Sequence, residues 1–171
     1  MSNFIELVPY PDAEDFLYAK SVPVSVITDE IVSIAHKMAQ IMYDHDGIGI
    51  SAPQVGVNKR IIVLDCTENK NNTVYLINPV ITWESTKTSQ KKEGCLSYPG
   101  LVMPVNRPRK IKVEGLNLDG KKIEFEASGI YARCICHEID HLDGIPFTRR
   151  VTRQVRRHLM RKWRRENQDE V

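Results

Sequence analysis

Residues 130–142, Ile130-Tyr131-Ala132-Arg133-Cys134-Ile135-Cys136-His137-Glu138-Ile139-Asp140-His141-Leu142, run up to Gly144-Ile145-Pro146, a combination that stops a helix. The stretch is therefore predicted to be helical as far as that stop. Within it stands His137-Glu138-Ile139-Asp140-His141. Side chains four residues apart share a helical face, so His137 and His141 can offer two imidazoles to one metal ion. Glu138 neighbours that face, within reach of a water on the ion. Two surface histidines on an ordinary helix are the plain alternative.

Outward from this helix, residues 61–65, 74–81, 101–105, 111–118 and 122–126 read as strands, and Asp119-Gly120 marks a hairpin turn. An earlier helix begins at Thr28, a capping residue, with Asp29 and Glu30 in its first turn and Ile31, Ile34, Ala35, Met38, Ile41 and Met42 at helical spacing. That stripe is read as core packing. It ends at Gly47 and Gly49. Residues 1–27 are broken by Pro9, Pro11 and Pro23 and are expected to be irregular. A last helix covers about 152–165. Strands in the middle and helices at both ends predict an α+β domain.

The chain has 171 residues, 42% of them apolar and 27% charged, which suits one globular domain with one core. The acidic start, MSNFIELVPYPDAEDF, lacks a basic, then apolar, leader pattern, so the cytoplasm is expected. The four cysteines, Cys66, Cys95, Cys134 and Cys136, are read as thiols or ligands rather than disulfides. Charge is divided. Residues 149–165 hold nine Lys/Arg and no acid, against fifteen Lys/Arg and nineteen Asp/Glu in residues 1–148. We assign 1–148 to the catalytic, metal-binding part and 149–171 to a basic C-terminal helix and tail of the same structural domain.

A catalytic metal needs a third protein ligand. Downstream, His158, Glu166 and Glu170 lie in a charged tail, a poor setting for a preorganised ligand. Upstream, Cys95 in Glu93-Gly94-Cys95-Leu96-Ser97 offers a thiolate, although an isolated cysteine is more often a small buried hydrophobe. A further segment, Gly47-Ile48-Gly49-Ile50-Ser51-Ala52-Pro53-Gln54, reads as a tight extended loop whose Gln54 carries an amide donor suited to an oxyanion.

Together, GIGISAPQ at 47–54, EGCLS at 93–97 and CHEIDHLDG at 136–144 resemble, in order, the GxGxAAPQ, EGCLS and QHExDHLxG motifs of the peptide deformylases. Ser51 stands in place of an alanine, and Cys136 in place of the glutamine before the first histidine. The resemblance implies that Cys95, His137 and His141 bind one divalent metal ion, Fe2+ first, with Zn2+ or Ni2+ as alternatives. It implies that Glu138 is the acid/base, that Gln54 and the Leu96 N–H stabilise the oxyanion, and that Ile48, Gly49 and Gly94 hold an extended peptide through backbone bonds. The implied fold sets antiparallel strands around a central HExxH helix, with a C-terminal helix. The implied reaction removes formyl from new peptides that begin with N-formylmethionine. Cys134 is expected on the cavity side of its helix and Cys136 away from it, both as packing residues.

Arg133 lies one turn before His137. Relatives usually place an apolar residue there, so Arg133 is expected to line the methionine pocket with its stem and keep its head at the rim. Asp140 is expected to pair with Arg107. The basic helix, with a narrow stripe of Val151, Val155, Leu159 and Trp163, suits ribosomal RNA; neither DNA nor a membrane is expected as partner. Two other readings remain open here. A general HExxH metalloprotease would leave EGCLS and GIGISAPQ without roles. A non-catalytic ribosome binder would leave the full set of chemical residues unexplained.

Overall fold

The computed structural model describes residues 5–167. Glu170, the end of the tail and the first four residues of the acidic start lie outside the described residues. In chain order the helices are α1 (Glu14–Leu17), α2 (Asp29–Asp44), α3 (Gly129–Leu142) and α4 (Arg153–Glu166). The strands are β1 (Gly49–Ser51), β2 (Ile61–Leu64), β3 (Val74–Glu84), β4 (Thr88–Cys95), β5 (Tyr98–Pro108), β6 (Lys110–Leu116) and β7 (Lys122–Ser128).

All strand pairs are antiparallel. Five strands form one sheet in the order β1-β2-β3-β6-β7, and β4 pairs with β5 in a separate hairpin. Helix α3 lies between them. Every residue from Ala132 to Leu142 is buried, which places the HExxH segment at the centre of the molecule. One side of α3 packs Ile135, Ile139 and Leu142 against Ile62, Leu64, Leu76, Ile111 and Val113 of the large sheet. Toward the hairpin, the ring of Phe147 meets both His137 and Tyr98. Helix α2 covers β1 and β2 through the predicted stripe, with Thr28 accepting from the Ile31 N–H and Ile41 only partly buried.

The sequence reading misses strand β4, strand β1 with the turn behind it, and helix α1. Strand β4 has no apolar alternation because it is solvated on most of its length, with Glu93 alone among its residues fully buried; its pairing with β5 makes it a strand. The expected loop at 47–54 is instead strand β1 followed by a 3-10 turn over Ala52–Val55. The start of the chain contains α1, whose Leu17 is buried.

Just after β2, Asp65 is buried and fully bonded. Its carboxylate accepts from Tyr43 OH at 2.7 Å, Thr67 Oγ1 at 2.6 Å, Thr67 N at 3.0 Å and Asn72 N at 2.9 Å. Burial works to raise its pKa, yet the bonds from Thr67, Tyr43 and Asn72 bring it down to about 2. A depressed carboxylate stabilises the fold above its unfolded pKa of about 3.9, and that contribution fades as pH falls toward 2. Asp65→Asn is expected to lower the melting temperature at pH 7, with the gap to the unaltered protein narrowing below pH 4. A gap that stays constant down to pH 2 would contradict the assignment.

Helix α4 is capped by Thr152, which accepts from Val155 N. Most of the expected stripe is a packing face: Val151, Leu159 and Trp163, joined by Met160 but not by Val155, sit on Tyr98, Leu101, Met103 and Val105, and Trp163 Nε1 donates to Pro99 O at 2.6 Å. Arg153, Arg157, Arg161, Lys162, Arg164 and Arg165 stay exposed.

Candidate active site

Helix α3 brings His137 and His141 together as their spacing predicts, with the two Nε2 atoms 3.2 Å apart. Cys95, at the end of β4, places Sγ 3.3 Å from His141 Nε2. One donor atom from each of the three residues lies within 4.8 Å of the others. Of the downstream candidates, His158 and Glu166 are exposed on α4 and are not brought to this cluster. Three such donors facing one point are a poor hydrogen-bonding arrangement but a good cation site. The His137 ring supports this, because its Nδ1 sits 3.1 Å from Glu93 Oε2. An Nδ1–H donated to that carboxylate leaves the Nε2 lone pair for a metal. The donor set therefore fits a divalent ion.

Glu93 is the functional residue that sequence reasoning missed. Its carboxylate takes Arg107 Nε and Nη2 at 3.0 Å each, Arg133 Nη1 at 2.6 Å and His137 Nδ1. Burial would raise its pKa; His137 and Arg107 together bring it down to about 2. The only sequence signal was its place in the EGCLS motif. Arg107 also bonds Asp140 through Nη1, as expected, and Arg150 joins through Nε at 2.8 Å and through Nη2. The result is a buried network of alternating charge beneath the ligand helix. Removing one partner of such a network leaves buried charge uncompensated, a cost of about 3–5 kcal/mol. Arg107→Ala is expected to lose stability on that scale in denaturant titration of the metal-loaded protein, whereas a loss under about 1 kcal/mol, typical of surface pairs, would refute the network's role.

Arg133 corrects an expectation. It lines the cavity, but its head is not at the rim. Besides Glu93, it donates to Val105 O at 2.9 Å and Ser89 O at 2.7 Å, and the residue is buried. Charge pairing with Glu93 and open backbone carbonyls of the hairpin outcompete hydration of the guanidinium.

Gln54 sits in a capping box at the 3-10 turn. Its Oε1 accepts from Ser51 N and Ser51 Oγ at 2.9 Å each, which fixes the amide and turns Nε2 toward the metal ligands, 3.5 Å from Cys95 Sγ. The serine at position 51 thus supplies a second donor that an alanine lacks. Glu138 approaches from α3. A Cβ on Gly49 would meet Cys134 Sγ at 2.5 Å and Glu138 Oε1 at 2.7 Å, so only glycine lets β1 lie this close. Glu138 Oε2 is buried with no hydrogen-bond partner among the described residues. Burial raises its pKa to about 7, against the pull of His137 and Ser51.

Gln54, Cys95, His137 and Glu138 line a cavity of about 880 Å³ together with Ile48, Gly49, Gly94, Leu96 and Cys134, while His141 lies behind it, fully buried. Strand β1 is an edge strand. The Ile48 carbonyl accepts from Asp65 N at 2.9 Å, extending the β1–β2 ladder by one pair. Alternation turns the backbone groups of Gly49 to the open edge. Cys134 faces the cavity as expected, while Cys136 packs into the core behind α3.

Hydrolysis by a single ion needs three protein ligands, one remaining coordination position and a carboxylate that moves protons without binding the metal, and this is the class the fold and cluster define: a mononuclear metal-dependent hydrolase. Comparison with known proteins narrows the class. The family model for polypeptide deformylase matches residues 5–157, and the chain belongs to that family. A peptide deformylase of Hydrogenovibrio crunogenus is 42% identical over 162 residues, covering 95% of this chain and 94% of the relative. Peptide deformylase 2 of Gloeobacter violaceus is 47% identical over 134 residues, 77% of this chain and 72% of the relative. The crystal structure of a peptide deformylase from Legionella pneumophila superposes with a TM-score of 0.89 at 31% identity, covering 96% of each chain. The family's activity is metal-dependent removal of formyl from N-formylmethionyl peptides of new proteins, with release of formate.

Proposed function

We propose that Cys95, His137 and His141 hold one divalent ion, Fe2+ in the cell with Zn2+ or Ni2+ able to replace it, and that the surrounding side chains carry the deformylation. The convergence of those three donors, with Cys95 and His137 lining the cleft, is the observation behind this reading. When bound, the ion supplies Lewis acidity and lowers the pKa of a water to about 7. Glu138 takes a proton from the attacking water at its unpartnered Oε2 and returns it to the amine nitrogen as the C–N bond breaks. Gln54 Nε2 and the Leu96 N–H donate to the formyl oxygen as it gains charge, each worth about 2.7–4 kcal/mol. The products are formate and a free N-terminus. Gly49 and Gly94 border the cleft on β1 and β4, and an extended peptide lies between them as an added strand. The stem of Arg133 forms part of the wall for the first side chain.

Formylated and unformylated Met-Ala-Ser peptides test this reading. Rapid formate release from the first and no cleavage of the second is expected. Cleavage of internal peptide bonds would favour a general protease.

The exposed basic face of α4 serves, in this reading, to dock on ribosomal RNA in the cytoplasm, where formylated chains emerge. Because the apolar stripe is packed on β5, deleting the helix would disturb the fold, so charge removal is the sharper probe. Changing Arg153, Arg157 and Arg161 each to Ala is expected to weaken ribosome co-sedimentation and flatten its salt dependence by about 0.7–0.9 log units per lost phosphate contact. Hydrolysis of short formyl peptides should be unchanged. Unaltered co-sedimentation would rule this face out.

A further inference from the structure

Two of the three thiols that bind no metal in the proposed site converge on a single atom. Cys134 Sγ lies 3.4 Å from the carbonyl oxygen of Ile48, and Cys66 Sγ approaches the same oxygen at 3.9 Å. Cys134 comes from the first half of α3 and Cys66 from the residue after Asp65, so the pair bridges the ligand helix to the end of β2. Cys134 is buried, whereas Cys66 is only half-buried and within reach of a small oxidant. The two thiols interact directly: hydrogen bonding with Cys134 lowers the pKa of Cys66, while the same contact, with burial, raises that of Cys134. The accessible sulfur is thus the better thiolate; Cys134 is the resolving partner by position, next to the shared carbonyl oxygen, and its proton leaves with the sulfenic hydroxyl as water.

We propose that Cys66 and Cys134 form a reversible dithiol–disulfide site whose closure slows the hydrolase. Hydrogen peroxide is the class of oxidant that fits. The Cys66 thiol attacks one peroxide oxygen, giving a sulfenic acid and one water. The Cys134 thiol then displaces the sulfenic hydroxyl, forming the S–S bond and a second water. Two electrons pass from the sulfurs to the peroxide, and a small thiol reverses the step by exchange. The link to activity is steric. Cys134 Sγ fills the space under Gly49, where a Cβ would lie only 2.5 Å away, and that same Cβ would lie 2.7 Å from Glu138 Oε1. Drawing this sulfur toward Cys66 breaks its bond to Ile48 and removes support beneath β1 at the edge of the cleft. The activity half of the proposal rests on the deformylase reading; the cross-link does not.

The test uses full-length protein loaded with redox-inert Zn2+, treated with stoichiometric hydrogen peroxide and then alkylated. Peptide mass mapping without reductant is expected to show a Cys66–Cys134 cross-link. A loss of at least tenfold in kcat/KM on a formyl peptide should accompany it, restored by dithiothreitol. Cys66→Ser should have normal activity before treatment and lose both the cross-link and the dithiothreitol-reversible inhibition; Cys66→Ala is the second variant. Both thiols found alkylated after peroxide, a cross-link through Cys95 instead, or a Cys66–Cys134 cross-link with full activity would each overturn the proposal. An inactive reduced protein would fault the deformylase reading instead, and the mass map would still decide whether the cross-link forms.

Discussion

Glu138→Gln is expected to reduce turnover by about 10²–10⁴-fold while the protein still binds one metal ion. The amide keeps the shape of the side chain but accepts no proton from water and delivers none to the leaving amine. Metal binding should survive, because the proposed ligand atoms belong to Cys95, His137 and His141. Glu138 is buried, and burial opposes its charge, so the neutral amide should not destabilise the fold. Single-turnover kinetics alongside metal analysis separates the two roles. Near-normal turnover would remove Glu138 from the mechanism, and loss of metal would show that it acts as a ligand.

Cys95→Ser should have the opposite profile, with metal loss as the primary defect. A thiolate is a soft, charged ligand, and a serine hydroxyl at the end of β4 is neither. Loss of an outer partner typically costs about 10–100-fold in metal affinity, and loss of a direct ligand should exceed that. Glu93→Gln is the internal comparison, since Glu93 bonds His137 Nδ1 and is not one of the proposed ligands. Competition against a chelator should rank affinity as unaltered protein above Glu93→Gln above Cys95→Ser. If Cys95→Ser holds metal as tightly as the unaltered protein, the third ligand lies elsewhere.

Local pattern made some of this architecture legible. Helices α2 and α3 show their periodicity, and the four-residue spacing of His137 and His141 already fixes their common face. The Asp140–Arg107 pair was anticipated and is present, although Arg150, which completes it, was not. Cys95 became a ligand candidate through its motif, since no local rule links a strand-end cysteine to a helix far along the chain. Glu93 was opaque for a physical reason. In a strand reading TSQKKEGC it looks like one more solvated charge, and only the packing of β4 over α3 buries it between two guanidinium groups and the His137 imidazole. Arg133 failed in the same way: an arginine on a buried helix takes whichever anion the tertiary structure supplies. The sequence shows Ser51 only as a replacement for alanine, and it takes the fold to bring its hydroxyl onto the Gln54 amide.

Metal titration of chelator-stripped protein, followed by formate release from a formyl-Met peptide, tests the central claim most directly. One ion at the Cys95, His137 and His141 cluster predicts no activity in the stripped protein, a linear rise with added divalent metal and a plateau at one equivalent per chain. Activity that persists without metal, or that needs two equivalents, would contradict a mononuclear site.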